Sequence, residues 1–281
     1  MKVFISIDLE GISGVFRSAQ TDDLGSDEYR GACKLMQGDL SAALAGCADA
    51  GADEILVNDA HYNGDNLGIN DLPAHVSLIS GSSPNLSMME GVDASFDAAL
   101  LVGYHARAGT EAAVLAHTFT DIIARVAVLD PAGGEPYITG EFGLCTAVAG
   151  AFGVPVVFTS GDDKLAAEAR ALAPEVEVAV TKTGVAREGA RLKAPEVARA
   201  EIRAGVARAL TAAPDGTGTT PAPLDWSGRA LQVTFANPAN CDLAAACPTV
   251  KRLDGTTIEI TARDYLTTWR TFVAAANLAH E

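Results

Sequence analysis

Asp8 and Glu10 stand two residues apart at the end of the apolar run Val3-Phe4-Ile5-Ser6-Ile7, just before Gly11-Ile12-Ser13-Gly14. β-branched and aromatic residues of this kind favour a buried strand. Side chains alternate along a strand, so the two carboxylates project to the same side. They repel each other there unless a cation sits between them, and a hard or borderline divalent ion suits such a pair. Taken alone, Asp-x-Glu-Gly also fits a solvated acidic turn. His61 follows the run Glu54-Ile55-Leu56-Val57, and His105 follows Ala99-Leu100-Leu101-Val102-Gly103. A histidine past a strand is commonly a plain loop residue. Two of them feeding the same edge as an acidic pair favour a metal site, because imidazole and carboxylate together suit zinc. His117, in Ala116-His117-Thr118, is either a loop histidine or a group that moves protons. Glu141, in Gly140-Glu141-Phe142-Gly143, is either a first-turn carboxylate favoured by the helix dipole or a further ligand.

These residues come together only if the elements are arranged correctly. Ser26 is a good N-cap, with Asp27 and Glu28 in the first turn of the helix it opens. Leu35, Leu40, Leu44 and Cys47 roughly mark the buried face, and Gly51 ends the helix. With the strands on either side this makes a β-α-β unit, whose strands lie parallel through a right-handed crossover. The two strand ends, and hence Asp8, Glu10 and His61, then share one sheet edge, where ligands bind in open α/β sheets. Val76 to Ser80, Arg125 to Leu129, Val154 to Thr159 and Val176 to Val180 read as further strands, and Lys164 to Ala173 as a helix. Asp162 and Asp163 read as turn or N-cap residues. Asp59 is a candidate partner for a ligating histidine, or a strand-end cap. The alternation predicts an α/β fold: a mostly parallel sheet flanked by helices, with a smaller C-terminal α+β unit.

The second half carries less chemistry. Pro195 suits a helix start, and Ile202, Val206 and Leu210 mark a buried stripe. Pro214 to Pro223 reads as a linker by composition. Beyond it are a strand from Ala230 to Phe235, a short helix around Leu243 to Ala246, a strand from Thr256 to Thr261 and a last helix from Tyr265 to Leu278. The expected division is a metal-site domain over 1–213 and an assembly or accessory domain over 225–281. His75 and His280 fall outside the constellation.

Composition bounds the function. Twenty basic against 36 acidic side chains leave a formal charge of −16 over 281 residues. That argues against a nucleic-acid surface, which needs clustered Lys and Arg, and gives no reason to expect anionic membranes as partners. The five cysteines (33, 47, 145, 241 and 247) are odd in number and form no C-x-x-C. They suggest free thiols in a reducing compartment rather than a disulfide framework or a cysteine zinc cluster. The apolar N-terminal run is too short for a signal-peptide core, so a cytoplasmic location is expected.

Asp8-x-Glu10-Gly11, Asn58-Asp59-Ala60-His61, Gly103-Tyr104-His105-Ala106-Arg107, Ala116-His117 and Gly140-Glu141-Phe142-Gly143, in this order, resemble the DppA family of D-aminopeptidases, the M55 metallopeptidases. The similarity runs along most of the chain and includes Gly161-Asp162-Asp163; in the tail, Asn237-Pro238-Ala239 and Val250-Lys251-Arg252-Leu253-Asp254 resemble the family's second domain. The resemblance implies two zinc ions per chain, with Asp8 bridging both. Glu10 and His105 would complete one site, and His61 and Glu141 the other. It implies that His117 is catalytic and outside the metal shell, a role described in the family as nucleophilic. It also implies removal of N-terminal D-amino acids, such as D-Ala, from short peptides, and a ring-like homodecamer. The family's Asn-Asp-Ser-His is Asn-Asp-Ala-His here, and the stretches Val15 to Gly25 and Asp121-Ile122-Ile123 look less familiar.

The residues alone leave other readings open. Two-metal sites serve amide and phosphate-ester hydrolysis alike, so a related amidohydrolase or phosphoesterase is the alternative enzyme. A non-catalytic assembly protein keeping the fold is the alternative of a different class. For His117, general acid–base action fits the chemistry at least as well as nucleophilic attack.

Overall fold

The structure, a computed structural model, describes residues 1–83, 85–211 and 220–280. Its first sheet has seven strands: β1 (Lys2–Ile7), β2 (Glu54–Asp59), β3 (Val76–Ile79), β4 (Ala98–Val102), β7 (Val156–Asp162), β8 (Glu177–Ala186) and β9 (Gly189–Leu192), in the order β3-β2-β1-β4-β7-β8-β9. All neighbours are parallel except β8 and β9, which form a hairpin. The second sheet is antiparallel, ordered β11-β12-β10-β5-β6, from β5 (Ile123–Leu129), β6 (Tyr137–Thr139), β10 (Ala230–Phe235), β11 (Val250–Arg252) and β12 (Thr257–Ile260).

The period of two along β1 separates the two faces of the first sheet. Val3, Ile5 and Ile7 join the core formed with α1 (Asp27–Asp49) and α4 (Pro195–Thr211). Phe4 points the other way, into a core shared with α2 (Glu141–Ala151), α3 (Asp163–Leu172), α6 (Tyr265–His280) and the second sheet. The mostly parallel sheet flanked by helices is the α/β architecture expected from the strand–helix alternation. α1 begins where expected: the Ser26 side chain accepts a hydrogen bond from Tyr29 N. Leu40, Leu44 and Cys47 are buried.

Two of the expected elements differ in extent. The short C-terminal helix, α5, spans Pro238–Ala244 rather than lying around Leu243 to Ala246. Asn237 caps it by accepting from Asn240 N, and Pro238 fits its first position. β8 runs past Val180 to Ala186, because its second half gains β9 as a hairpin partner. The segment from 225 onward supplies β10, β11 and β12 of the second sheet, while β5 and β6 come from far upstream. Most of the expected linker, residues 214–219, lies outside the described residues.

The registers place the chemistry. Ile7 pairs with Asp59 on one side and with Val102 on the other. Asp8, His61 and His105 therefore leave three adjacent strands at one edge. Asp8 N donates to Val102 O at 2.9 Å and Gly11 N to Gly103 O at 2.7 Å. A Cβ on Gly11 would lie 1.9 Å from Tyr104 O, so only glycine allows this approach. Gly103 has a φ of +72°, and a Cβ there would lie 2.3 Å from Asp8 O.

Candidate metal centre

Asp8, Glu10, His61, His105 and Glu141 are all buried and form one cluster. His61 Nδ1 lies 3.3 Å from Asp8 Oδ1 and 3.2 Å from Glu10 Oε2. His105 Nε2 lies 3.5 Å from Asp8 Oδ2 and 3.3 Å from Glu141 Oε2. Asp8 thus faces a different histidine with each oxygen. One ligand atom each from Asp8, Glu10 and His105 falls within 4.8 Å of the others, and so does one each from His105, His117 and Glu141.

Backbone carbonyls orient all three histidines. The second ring nitrogen of His61 lies 3.0 Å from Thr21 O, that of His105 3.0 Å from Ala106 O, and that of His117 2.8 Å from Leu115 O. A carbonyl accepts only from a protonated nitrogen. In a neutral ring the lone pair then sits on the nitrogen facing the carboxylates, the arrangement of a metal-ligating histidine. Asp8 Oδ2, Glu10 Oε2 and His105 Nε2 are buried with no hydrogen-bond partner. The contact from His61 to Glu10 is within ion-pair distance but lacks hydrogen-bond geometry. Buried polar atoms normally find partners. This donor set of carboxylate oxygens and imidazole nitrogens suits zinc, so the residues present fit the ion.

The electrostatics match. Burial, followed by the Glu10 carboxylate, pushes Asp8 up to about 6. Burial also acts against the charged form of Glu10, but His61 outweighs it and holds Glu10 well below the usual range. Burial disfavours the charged rings of His61 and His105, yet Glu10 with Asp8, and Glu141 with Asp8, raise them well above an ordinary imidazole. In the chain alone, protons compensate the buried carboxylates; a divalent ion would take their place.

Neighbouring elements hold the ligand loops. Lys182 on β8, 1 % exposed, donates from Nζ to the backbone oxygens of Glu10, Ile12 (2.9 Å) and Val15 (2.7 Å). Burial lowers its pKa to about 8. Glu168 on α3 accepts from Arg107 N at 3.0 Å and Gly140 N at 3.1 Å, tying the loop after His105 to the start of the helix that carries Glu141. Neither residue was singled out from the sequence. A lone lysine following Val178-Ala179-Val180-Thr181 was the available signal for Lys182. Asp59 makes no hydrogen bond to the His61 ring: it accepts from Asn66 N, Asn66 Nδ2 and Leu67 N. It fixes that loop, and Asn66 Nδ2 donates in turn to His61 O at 2.8 Å. Asp162 is the N-cap of α3, accepting from Lys164 N and Leu165 N.

The cluster lies at the base of a cleft of ≈ 650 Å³, lined also by Asp22, His117, Asp121, Arg187 and His280. His117 is 19 % exposed, the most accessible of the cluster's three histidines, and its Nε2 lies 3.8 Å from Glu141 Oε1. All five cysteines are free. Among the described residues no helix is long and apolar enough to cross a membrane.

Known proteins share this fold. The family model Peptidase_M55, D-aminopeptidase, matches residues 1–274. A D-aminopeptidase of Bacillus subtilis (strain 168) is 32% identical over 280 residues, covering 99% of this chain and 98% of its own. The solved structure described as a Zn-dependent D-aminopeptidase, DppA from Bacillus subtilis, a self-compartmentalizing protease, superposes with a TM-score of 0.92 at 31% identity, covering 100% of this chain and 98% of that one. The chain belongs to the M55 peptidase family of D-aminopeptidases.

Proposed function

We propose that this protein is a zinc-dependent aminopeptidase that removes N-terminal D-amino acids, such as D-Ala, from short peptides at a two-metal centre. The observation that carries the reading is the buried convergence of three carboxylates and two carbonyl-oriented imidazoles, with Asp8 Oδ2, Glu10 Oε2 and His105 Nε2 unpartnered. Leaving such charges uncompensated in a protein interior costs several kcal/mol per ion. The split that the resemblance implies gives one ion to Asp8, Glu10 and His105, whose ligand atoms lie within 4.8 Å of one another, and would give the other to Asp8, His61 and Glu141, although the side chains pair His61 with Glu10 and His105 with Glu141. Zinc ions bound there would polarise the peptide carbonyl and lower the pKa of water.

The chain supplies the proton chemistry. With Nδ1 committed to Leu115 O, the neutral His117 ring has its lone pair on Nε2. That atom takes a proton from water during attack on the carbonyl and returns it to the departing amine. Glu141 holds the imidazolium formed in between, and the backbone N–H of Phe119 fixes Glu141 Oε1 at 2.5 Å. The cleft's carboxylates provide a ready environment for the substrate's α-ammonium group.

By the same reasoning we assign residues 225–281 an accessory or assembly role, a ring-like homodecamer as the quaternary state, and a cytoplasmic location. The relative with the same fold is described as self-compartmentalizing, which supports an enclosed assembly.

The test is amine release from D-Ala-D-Ala and L-Ala-L-Ala, side by side, with zinc supplied and with zinc chelated. Zinc-dependent cleavage of the D-form alone is expected. No cleavage of either by folded, metal-loaded protein would overturn the reading, and the search would move to other amides and phosphate esters.

A further inference from the structure

We propose that Arg187 anchors the free C-terminal carboxylate of the peptide substrate and so restricts the enzyme to short peptides with an unblocked C-terminus. The inference rests on the aminopeptidase reading of the metal centre.

The cleft is an electrostatically hostile place for a second anion. Asp8, Glu10, Asp22, Asp121 and Glu141 all line it. Two bound divalent ions would offset the inner carboxylates, not those at the mouth. Arg187 is the one lysine or arginine among the described lining residues. Among the described lining residues its guanidinium is therefore the one permanent positive charge open to a carboxylate that enters with the substrate.

The geometry leaves this guanidinium able to bind. Nη2 donates to Asp121 Oδ1 at 2.6 Å, and Nη1 makes a long 3.5 Å contact with Ser18 Oγ. An arginine has five N–H donors in a fixed fork, so an edge remains for a bidentate carboxylate. In the pair with Asp121, Arg187 is about half exposed and Asp121 about two-thirds exposed. An ion pair at that exposure contributes little to stability, so folding alone gives it slight reason to exist. It does set the direction in which the guanidinium points.

The backbone around Arg187 is tied to the catalytic wall. Arg187 O accepts from Leu115 N at 2.8 Å, and Leu115 O in turn orients His117. Next to it, Glu188 accepts from Ser18 N and Ser18 Oγ. The tip of the β8–β9 hairpin thus joins the loop after β1 to the segment bearing His117. A residue at this tip keeps a defined place relative to the reacting groups, as a length-reading anchor must. Ser18, in the loop after β1, and Asp121, in the segment after His117, are the side chains that meet at Arg187.

The experiment compares D-Ala-D-Ala with D-Ala-D-Ala-amide on the zinc-loaded enzyme and on Arg187→Gln. Wild type is expected to favour the free acid. Arg187→Gln is expected to raise KM for the free acid about 10- to 100-fold, the scale of a lost charge-assisted hydrogen bond pair, with kcat little changed. Its kinetics on the amide should equal those of wild type, which also shows that the variant is folded and metal-loaded. Arg187→Lys, which keeps the charge but not the fork, should give an intermediate KM. An unchanged KM for the free acid, or equal losses on acid and amide, would overturn the proposal. Failure of wild type to cleave either peptide would instead overturn the aminopeptidase reading, and this assignment with it.

Discussion

His105 and His117 stack face to face, with ring centroids 4.0 Å apart and planes inclined by 15°. Each has Nδ1 held by a backbone carbonyl, so both Nε2 atoms are directed at Glu141, from 3.3 and 3.8 Å. The buried ring belongs to the cluster of carboxylates and imidazoles, and the partly exposed one borders the cleft.

That relationship separates two roles for His117. As a proton carrier, its replacement in His117→Ala lowers kcat by about 10²- to 10⁴-fold and leaves the zinc content unchanged. As a ligand in the group with His105 and Glu141, its loss lowers the zinc content. Activity and metal analysis on the same sample decide between them.

Asp8 faces His61 with one oxygen and His105 with the other. Asp8→Ala is expected to lose both ions, whereas Glu10→Ala should chiefly weaken one. An Asp8→Ala protein that retained two zinc ions would remove Asp8 as the bridge.

Lys182→Met removes the donor that serves the carbonyls of Glu10, Ile12 and Val15. Each unpaired buried carbonyl costs about 1–3 kcal/mol, partly offset because a buried charge is also removed. A net loss of about 2–4 kcal/mol should lower Tm by roughly 5–10 °C in a chain of this size. The zinc affinity of the Glu10 site should fall with it, read by competition with a chelator.

The pH dependence of zinc stabilisation has a definite sign. Asp8 rises from its ordinary 3.8 to about 6 in the metal-free fold. An acid with a raised folded-state pKa contributes stability that is fully present below the unfolded value and lost as pH rises through the folded one. The raised histidines, His61 and His105, act in the same direction, since they lose protons as pH rises. Zinc requires the ionised carboxylate and the neutral rings, so its binding strengthens over the same range. The gap in Tm between zinc-loaded and chelated protein should therefore widen from about pH 5 to about pH 7.5. A gap that narrowed would contradict the placement of these groups around the ions.

Local signals and parallel topology suffice to bring Asp8, His61 and His105 to one edge, because β2 and β4 both pair with β1. Ser26 marks a helix start through its own chemistry, its side chain accepting from Tyr29 N. The pairing of β5 with β10 is different: Val126 meets Val233 across a separation that leaves no periodic trace. Lys182 and Arg187 were hidden for a related reason. Their meaning depends on which loops approach β8 and its hairpin, and that is fixed by tertiary packing rather than by neighbours in the chain.

The most direct test of the central claim is a zinc titration of metal-free protein, with bound ions and peptide hydrolysis measured together. Two zinc ions per chain, with activity reaching its maximum only as the second binds, is the predicted result. Full activity at one ion per chain, or activity that persists with none, would contradict a two-metal centre built on Asp8.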